Sequence, residues 1–179
     1  MSKIYQLGTF GGLKLLIRPS ALIGLLLLWT GLTSFTWRLM DFPPDQALAA
    51  GLGSTVLHFI SELVHNMGHS VAARQVKRPM EGVLFWGLLA TSLYPKDEKK
   101  VTPRLHIRRA LGGPIASFIL TILTGLQLAV VSPVAAQLPP AIPFIAMFLF
   151  WDNLLIFTLG SILPLGFTDG STILQNWKK

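Results

Sequence analysis

The sequence predicts an all-α polytopic membrane protein with about four transmembrane helices and a short strand or re-entrant segment at the cytoplasmic interface. Three observations carry that reading. The 179 residues are 51% hydrophobic and only 13% charged, whereas about a quarter of the residues of a soluble domain are charged. The apolar residues collect in four long runs instead of alternating along the chain. The basic residues sit almost wholly at every second junction between those runs.

The elements follow in order. Residues 5–20, YQLGTFGGLKLLIRPS, set glycines beside apolar residues and read as a short strand or interfacial segment. Residues 20–37, SALIGLLLLWTGLTSFTW, are long enough as a helix to cross a hydrocarbon core, and Arg18 and Arg38 bound them. No A-x-A-like cleavage site follows, so this run is expected to be an anchor and not a removed signal peptide. Further spans are expected over residues 47–73, 106–131 and 140–163. Between the second and third, residues 80–95, MEGVLFWGLLATSLYP, are too short and too glycine-broken for a span and read as a strand pair or re-entrant piece. Residues 132–143, SPVAAQLPPAIP, carry prolines and no charge and read as an extended outer connector. No repeat or linker divides the chain, so residues 1–179 are expected to form a single integral membrane domain. The absence of cysteine excludes disulfides and thiolate metal sites.

The net charge of +7 would suit a nucleic-acid binder, but its distribution argues for topology instead. Lys3, Lys14 and Arg18 precede the first span; Arg74, Lys77, Arg78, Lys96, Lys99, Lys100, Arg104, Arg108 and Arg109 lie between the second and third; Lys178 and Lys179 end the chain. Only Arg38 falls elsewhere. With both termini and the middle loop in the cytoplasm, the positive-inside rule accounts for every basic residue but that one. The expected partners are therefore the lipid bilayer and other transmembrane proteins, and not nucleic acid.

The second span carries His58, Glu62, His65 and His69. At about 100° per residue these four share an arc of about 60°, and an ionisable face in a span is a functional candidate because lipid cannot solvate it. His58 by itself suits a polar seam against a neighbouring helix. His65 and His69 have the i, i+4 spacing by which a helix offers two imidazoles to one metal. A metal site needs a third ligand at the same depth. Asp152 and Asn153 lie inside the fourth span, whereas Asp169 lies just beyond it, towards the same cytoplasmic side as the histidines. The segment 163–171, LPLGFTDGS, breaks the helix with Pro164 and two glycines, as suits irregular backbone lining a polar cavity. A plainer role for Asp169 is the N-cap of a short terminal helix.

The motifs VHNMGHSVAAR, ALGGPIASF and ILPLGFTDGSTIL, in that order and with the opening FGGLKLLIRPS, make the chain resemble the site-2 protease family of intramembrane zinc metalloproteases. The resemblance implies a site-2-protease-like core and zinc held by His65, His69 and Asp169. It also shows departures: the family's catalytic glutamate is Asn66, the asparagine of its G-P-x-x-N segment, which begins here with Gly113 and Pro114, is Ser117, and the asparagine before its L-P is Ser161. Phe167, Thr168 and Ser171 also differ from the pattern around the aspartate. A single engineered exchange would not account for changes at both Ser117 and Ser161. Ligands kept with the base and substrate-side amides lost is the pattern of an inactive relative, because an amide has no basic site for the proton of a water nucleophile. Glu62, one turn before His65, is expected to be an extra ligand or an acceptor for an imidazole N–H, with His58 beside it.

Three functions remain open from the sequence. The first is a non-cutting site-2-protease-like protein that keeps its metal and acts as a binding or structural subunit of a membrane complex. The second is an active intramembrane zinc endopeptidase with an atypical base. The third is a redox or pigment-complex subunit in which His58 or His65 ligates a tetrapyrrole.

Overall fold

Pro19, Pro44 and Pro103 each begin a long helix, at the position where a missing N–H is harmless and the fixed φ already suits the helix. These helices are α1 (Pro19–Leu39), α2 (Pro44–Gln75) and α3 (Pro103–Val131). A fourth, α4 (Ala141–Trp151), runs without a break into a π-helical stretch, Asp152–Gly160, and a short α5 (Asp169–Trp177) ends the fold. The computed structural model describes residues 3–98 and 100–177; Lys99, Lys178 and Lys179, which enter the charge argument, lie outside the described residues. Among the described residues four helices are long and apolar enough to cross a membrane. The outer connector departs from expectation: Ser132–Gln137 is a 3₁₀ helix continuing α3, and the chain becomes extended only at Leu138. Pro133 sits in the first turn of that helix, where it does not interrupt the hydrogen bonding.

Both glycine-rich segments form strands, and they join. Strands β1 (Tyr5–Phe10) and β2 (Leu13–Ile17) form one antiparallel hairpin, and β3 (Gly82–Trp86) and β4 (Leu89–Leu93) form another. Parallel pairing of β2 with β3, from Lys14↔Gly82 to Ile17↔Phe85, unites them into one sheet of order β1-β2-β3-β4. Its apolar face packs Leu13, Val83 and Phe85 against Ala21 and Ala73, so the sheet is seated at the C-terminal end of α2.

The helices are apolar outside and polar inside. Leu22, Leu26, Ile119, Ile122 and Leu126 are exposed, whereas α2 buries Ser54, His58, Ser61, Glu62, His65, Asn66, His69 and Ser70. Such a face is costly in an apolar surround unless its polar groups find partners, and most of these do, Ser54 Oγ being an exception. His58 Nδ1 lies 3.0 and 3.1 Å from the two carboxylate oxygens of Asp152, and its Nε2 lies 2.9 Å from the Leu88 carbonyl. Asn153 Nδ2 donates to Ser61 Oγ at 3.0 Å, and the hydroxyls of Thr121 and Thr158 meet at 3.0 Å. Helices α2 and α3 touch backbone to backbone: a Cβ on Gly68 would lie 2.2 Å from the Gly112 carbonyl oxygen, and a Cβ on Gly112 would lie 2.4 Å from that of Gly68. Small residues permit this approach, which any larger side chain would prevent.

His58 and Asp152 are thus a buried pair whose members need each other. Asp152→Leu should cost about 3–5 kcal/mol by leaving a buried imidazole nitrogen without its acceptor. The double change His58→Leu with Asp152→Leu should cost less than Asp152→Leu alone, as read by thermal unfolding in detergent; strictly additive losses would show that the two are not coupled.

Candidate metal centre

Two turns of α2 and the first residue of α5 supply three ligand atoms that face one another. Nε2 of His65 and Nε2 of His69 are 3.2 Å apart, Asp169 Oδ2 is 3.1 Å from the first, and Asp169 Oδ1 is 3.3 Å from the second. Ligands set tetrahedrally at about 2.0–2.1 Å from a zinc ion lie about 3.3 Å from each other, and the contacts here, one carboxylate oxygen to each imidazole and one between the imidazoles, are of that order, with one ligand atom from each residue lying within 4.8 Å of the other two. His65, His69 and Asp169 could therefore hold a metal ion.

The surroundings prepare the rings for that role. His69 Nδ1 lies 2.9 Å from the Arg109 carbonyl oxygen, which can only accept. The Gly113 amide also approaches Nδ1, at 3.2 Å, but the shorter contact to the carbonyl places the proton on Nδ1 and turns the Nε2 lone pair to the centre. His65 Nδ1 meets Ser117 Oγ at 2.9 Å, leaving its Nε2 for the centre as well. The floor is Gly113: a Cβ there would lie 2.4 Å from both Nε2 atoms. Pro114 follows it inside α3 without an N–H, which interrupts the hydrogen bonding of that helix beside the site.

Asp169 is brought in by the broken segment after the fourth span. The N–H groups of Ser171 and Thr172 go to the Thr168 carbonyl, so Asp169 is the first helical residue and its carboxylate is turned to the histidines; the N-cap role is not the one it takes. Thr168 Oγ1 donates to the Leu163 carbonyl and accepts from the Leu165 N–H at 3.3 Å, while Ser171 Oγ accepts from the Gly166 N–H at 2.7 Å. Two of the residues that depart from the family pattern, Thr168 and Ser171, thus fasten this loop, whereas Phe167 is exposed. On the opposite side Arg109 donates to both carboxylate oxygens of Glu98, at 2.9 and 3.0 Å, and stacks 3.3 Å from the centre of the Tyr94 ring. One residue so holds His69 with its backbone and the segment after β4 with its side chain. Burial pushes the Tyr94 phenol above its ordinary range, with Arg109 opposing.

The other expected residues fall elsewhere. Glu62 is neither an extra ligand nor an imidazole acceptor: its carboxylate accepts from the Ala90 N–H and from Asn66 Nδ2. His58 is likewise no ligand to the centre, being taken by Asp152 and Leu88. Asn66 donates to the Glu62 carbonyl at 3.0 Å and accepts from Ser92 Oγ at 2.9 Å. Ser117, expected on the substrate side, orients His65, and Ser161 donates to the Thr158 carbonyl of its own helix at 3.0 Å. Sequence reasoning missed Gly113, Arg109 and Ser92. Gly113 lies in a quoted motif, but only the crossing of α2 and α3 shows what its missing side chain makes room for.

A solved structure, the site-2 protease from Methanocaldococcus jannaschii, matches 98% of this chain and 72% of its own with a TM-score of 0.61, at 19% identity. The chain has a site-2-protease-like fold. The curated protein named "Putative zinc metalloprotease Rip3", from the Erdman and H37Rv strains of Mycobacterium tuberculosis, is 28% identical over 177 residues, which are 98% of this chain and 44% of that protein. The chain thus spans less than half the length of the curated relatives it matches. No family model matches it. The fold explains why motifs so far apart in sequence converge, since α2, α3 and the start of α5 meet at one point of the site-2-protease-like core.

Gly113→Ala places a methyl group among the ligand atoms and should abolish stoichiometric metal binding while leaving the helical content within about 10% of the parent. Elemental analysis beside circular dichroism checks this; full metal content in Gly113→Ala would show that the ion binds elsewhere.

Proposed function

We propose that this chain is a multi-pass, site-2-protease-like membrane protein that holds zinc on His65, His69 and Asp169 and does not cut, serving as a binding or structural subunit among other transmembrane proteins. The observation that carries the reading is the contrast between a preserved ligand triangle and an occupied base position. Two neutral imidazoles and one carboxylate suit zinc and leave a coordination position open, and zinc in such a site supplies Lewis-acid polarisation of a carbonyl. Proton transfer, however, falls to the chain's own groups. The Asn66 amide has no basic site, and its hydrogen-bonding atoms are already engaged by Glu62 and Ser92. Loss of a general base costs about 10² to 10⁴ in rate. What remains is a clamp: the ligands tie α2 to α5, and a metal there would fix the loop after the fourth span against the bundle.

An active zinc endopeptidase is the second reading, favoured by the intact triangle and by the name of the curated relative. The tetrapyrrole reading loses ground, because both ring nitrogens of His58 and of His65 already face partners that a macrocycle would have to displace.

Purified protein is expected to carry about one zinc per chain, lost in His69→Ala, and to leave model transmembrane substrates intact; robust metal-dependent cleavage by the unmodified chain would sink the proposal. Orientation is proposed with both termini cytoplasmic. Reporter fusions at Asp45 and Gln137 are accordingly expected to score as external, and a cytoplasmic signal at either would overturn that topology.

A further inference from the structure

Asn66 has a task that proton chemistry does not describe. His58, Glu62 and Asn66 follow one another at intervals of four along α2, and each meets the β3–β4 hairpin at intervals of two. His58 Nε2 lies 2.9 Å from the Leu88 carbonyl, the Glu62 carboxylate accepts from the Ala90 N–H, and Asn66 Oδ1 accepts from Ser92 Oγ at 2.9 Å. The two repeats match, because four helical residues rise about 6.0 Å and two strand residues about 6.7 Å. β4 is an edge of the sheet. Its N–H groups alternate in direction, so the Ala90 amide, bonded to Glu62, points away from β3 and would otherwise be an open donor to any extended chain. The rungs are also joined to each other: Asn66 Nδ2 donates to the Glu62 carbonyl at 3.0 Å and to its carboxylate at 3.3 Å. Facing two acceptors on one side and a hydroxyl on the other, the amide has its nitrogen and oxygen assigned by its partners. Glu62 and Asn66 are 4% and 2% exposed, so solvent does not substitute for these bonds.

We propose that Glu62 and Asn66 are positioning residues that lock the outer edge of β4 onto α2, so that the helix stands where a further strand would pair. An extended peptide adding along residues 88–92 must first displace Glu62 from Ala90. An amide, which donates from one end and accepts at the other, bridges the Glu62 carboxylate and the Ser92 hydroxyl from position 66. A carboxylate at 66 has no N–H to give Glu62 and sets two carboxylates against each other. The lock extends the non-cutting reading but stands on neither the ion nor the absence of cleavage, and its test uses neither, so each can fail without the other.

The test is a double-mutant cycle on the full chain in lipid nanodiscs, read by thermal unfolding, with amide hydrogen exchange as a second measurement. Asn66→Glu is expected to lower the Tm by about 5–10 °C. Adding Glu62→Gln, whose amide can donate to the new carboxylate, is expected to restore most of that loss. In Glu62→Ala the Ala90 amide should exchange at least about tenfold faster, while that of Thr91, which alternates toward β3, is unchanged; Glu62→Gln, which keeps an acceptor, should retain protection at Ala90. An equal loss from Asn66→Glu with either residue at 62, or an unchanged Ala90 exchange rate in Glu62→Ala, would overturn the proposal.

Discussion

The ionisable and amide groups on the polar face of α2 must be matched one by one inside an apolar bundle, and most of the architecture follows from that demand. A helix that sets His58, Ser61, Glu62, His65, Asn66 and His69 on its buried side has no water to turn to, so neighbouring elements have to come close and present complementary atoms. The π-helical stretch delivers Asp152 to His58 and Asn153 to Ser61, α3 delivers Ser117 and the Arg109 carbonyl to the two ligand histidines, and the β3–β4 hairpin takes Glu62 and Asn66. The partners come from three different elements. The helix therefore works as the organising post of the fold, and the sheet is seated on it for polar as well as apolar reasons.

Close approach is what makes the matching feasible. The backbone contact of Gly68 with Gly112 brings α3 near enough for a carbonyl and a hydroxyl to reach imidazole nitrogens at 2.9 Å, and it leaves Gly113 facing the ligand atoms directly. Small residues here serve two ends. They replace the hydrophobic driving force that helices lack in lipid with close packing, and they open the space between the three residues that could hold an ion. The loop before α5 answers the same geometry from the other side, with Thr168 and Ser171 fastening the irregular backbone that turns Asp169 inward.

This division of labour bears on function. The atoms that could bind a metal gather on the inner side of α2, while the residue that follows the first histidine is committed to the strand edge. In the proposed reading, holding a metal and using one fall on adjacent residues of one helix that face different neighbours. The chain spans less than half the length of its curated relatives, and the proposed role as a binding or structural partner concerns this core alone.

Much of the plan was legible in the residues themselves. Long apolar runs read as spans because nothing else can bury them, and the spacing of His65 and His69 places two imidazoles on one side of any helix. The broken segment before Asp169 was visible in its proline and glycines. Other features depended on which elements meet. Two hairpins 65 residues or more apart join through a parallel register, Lys14↔Gly82 to Ile17↔Phe85, that no local pattern encodes. Glu62 looked like an extra ligand or an imidazole acceptor by its spacing to His65, yet a strand amide takes its carboxylate; Ser117 looked like a lost substrate contact and proved to hold a ring. Periodicity states which side of a helix a residue faces, since that depends only on its own backbone. What stands opposite is decided by the crossing of the chains, and for a buried polar group the partner opposite is what sets its role.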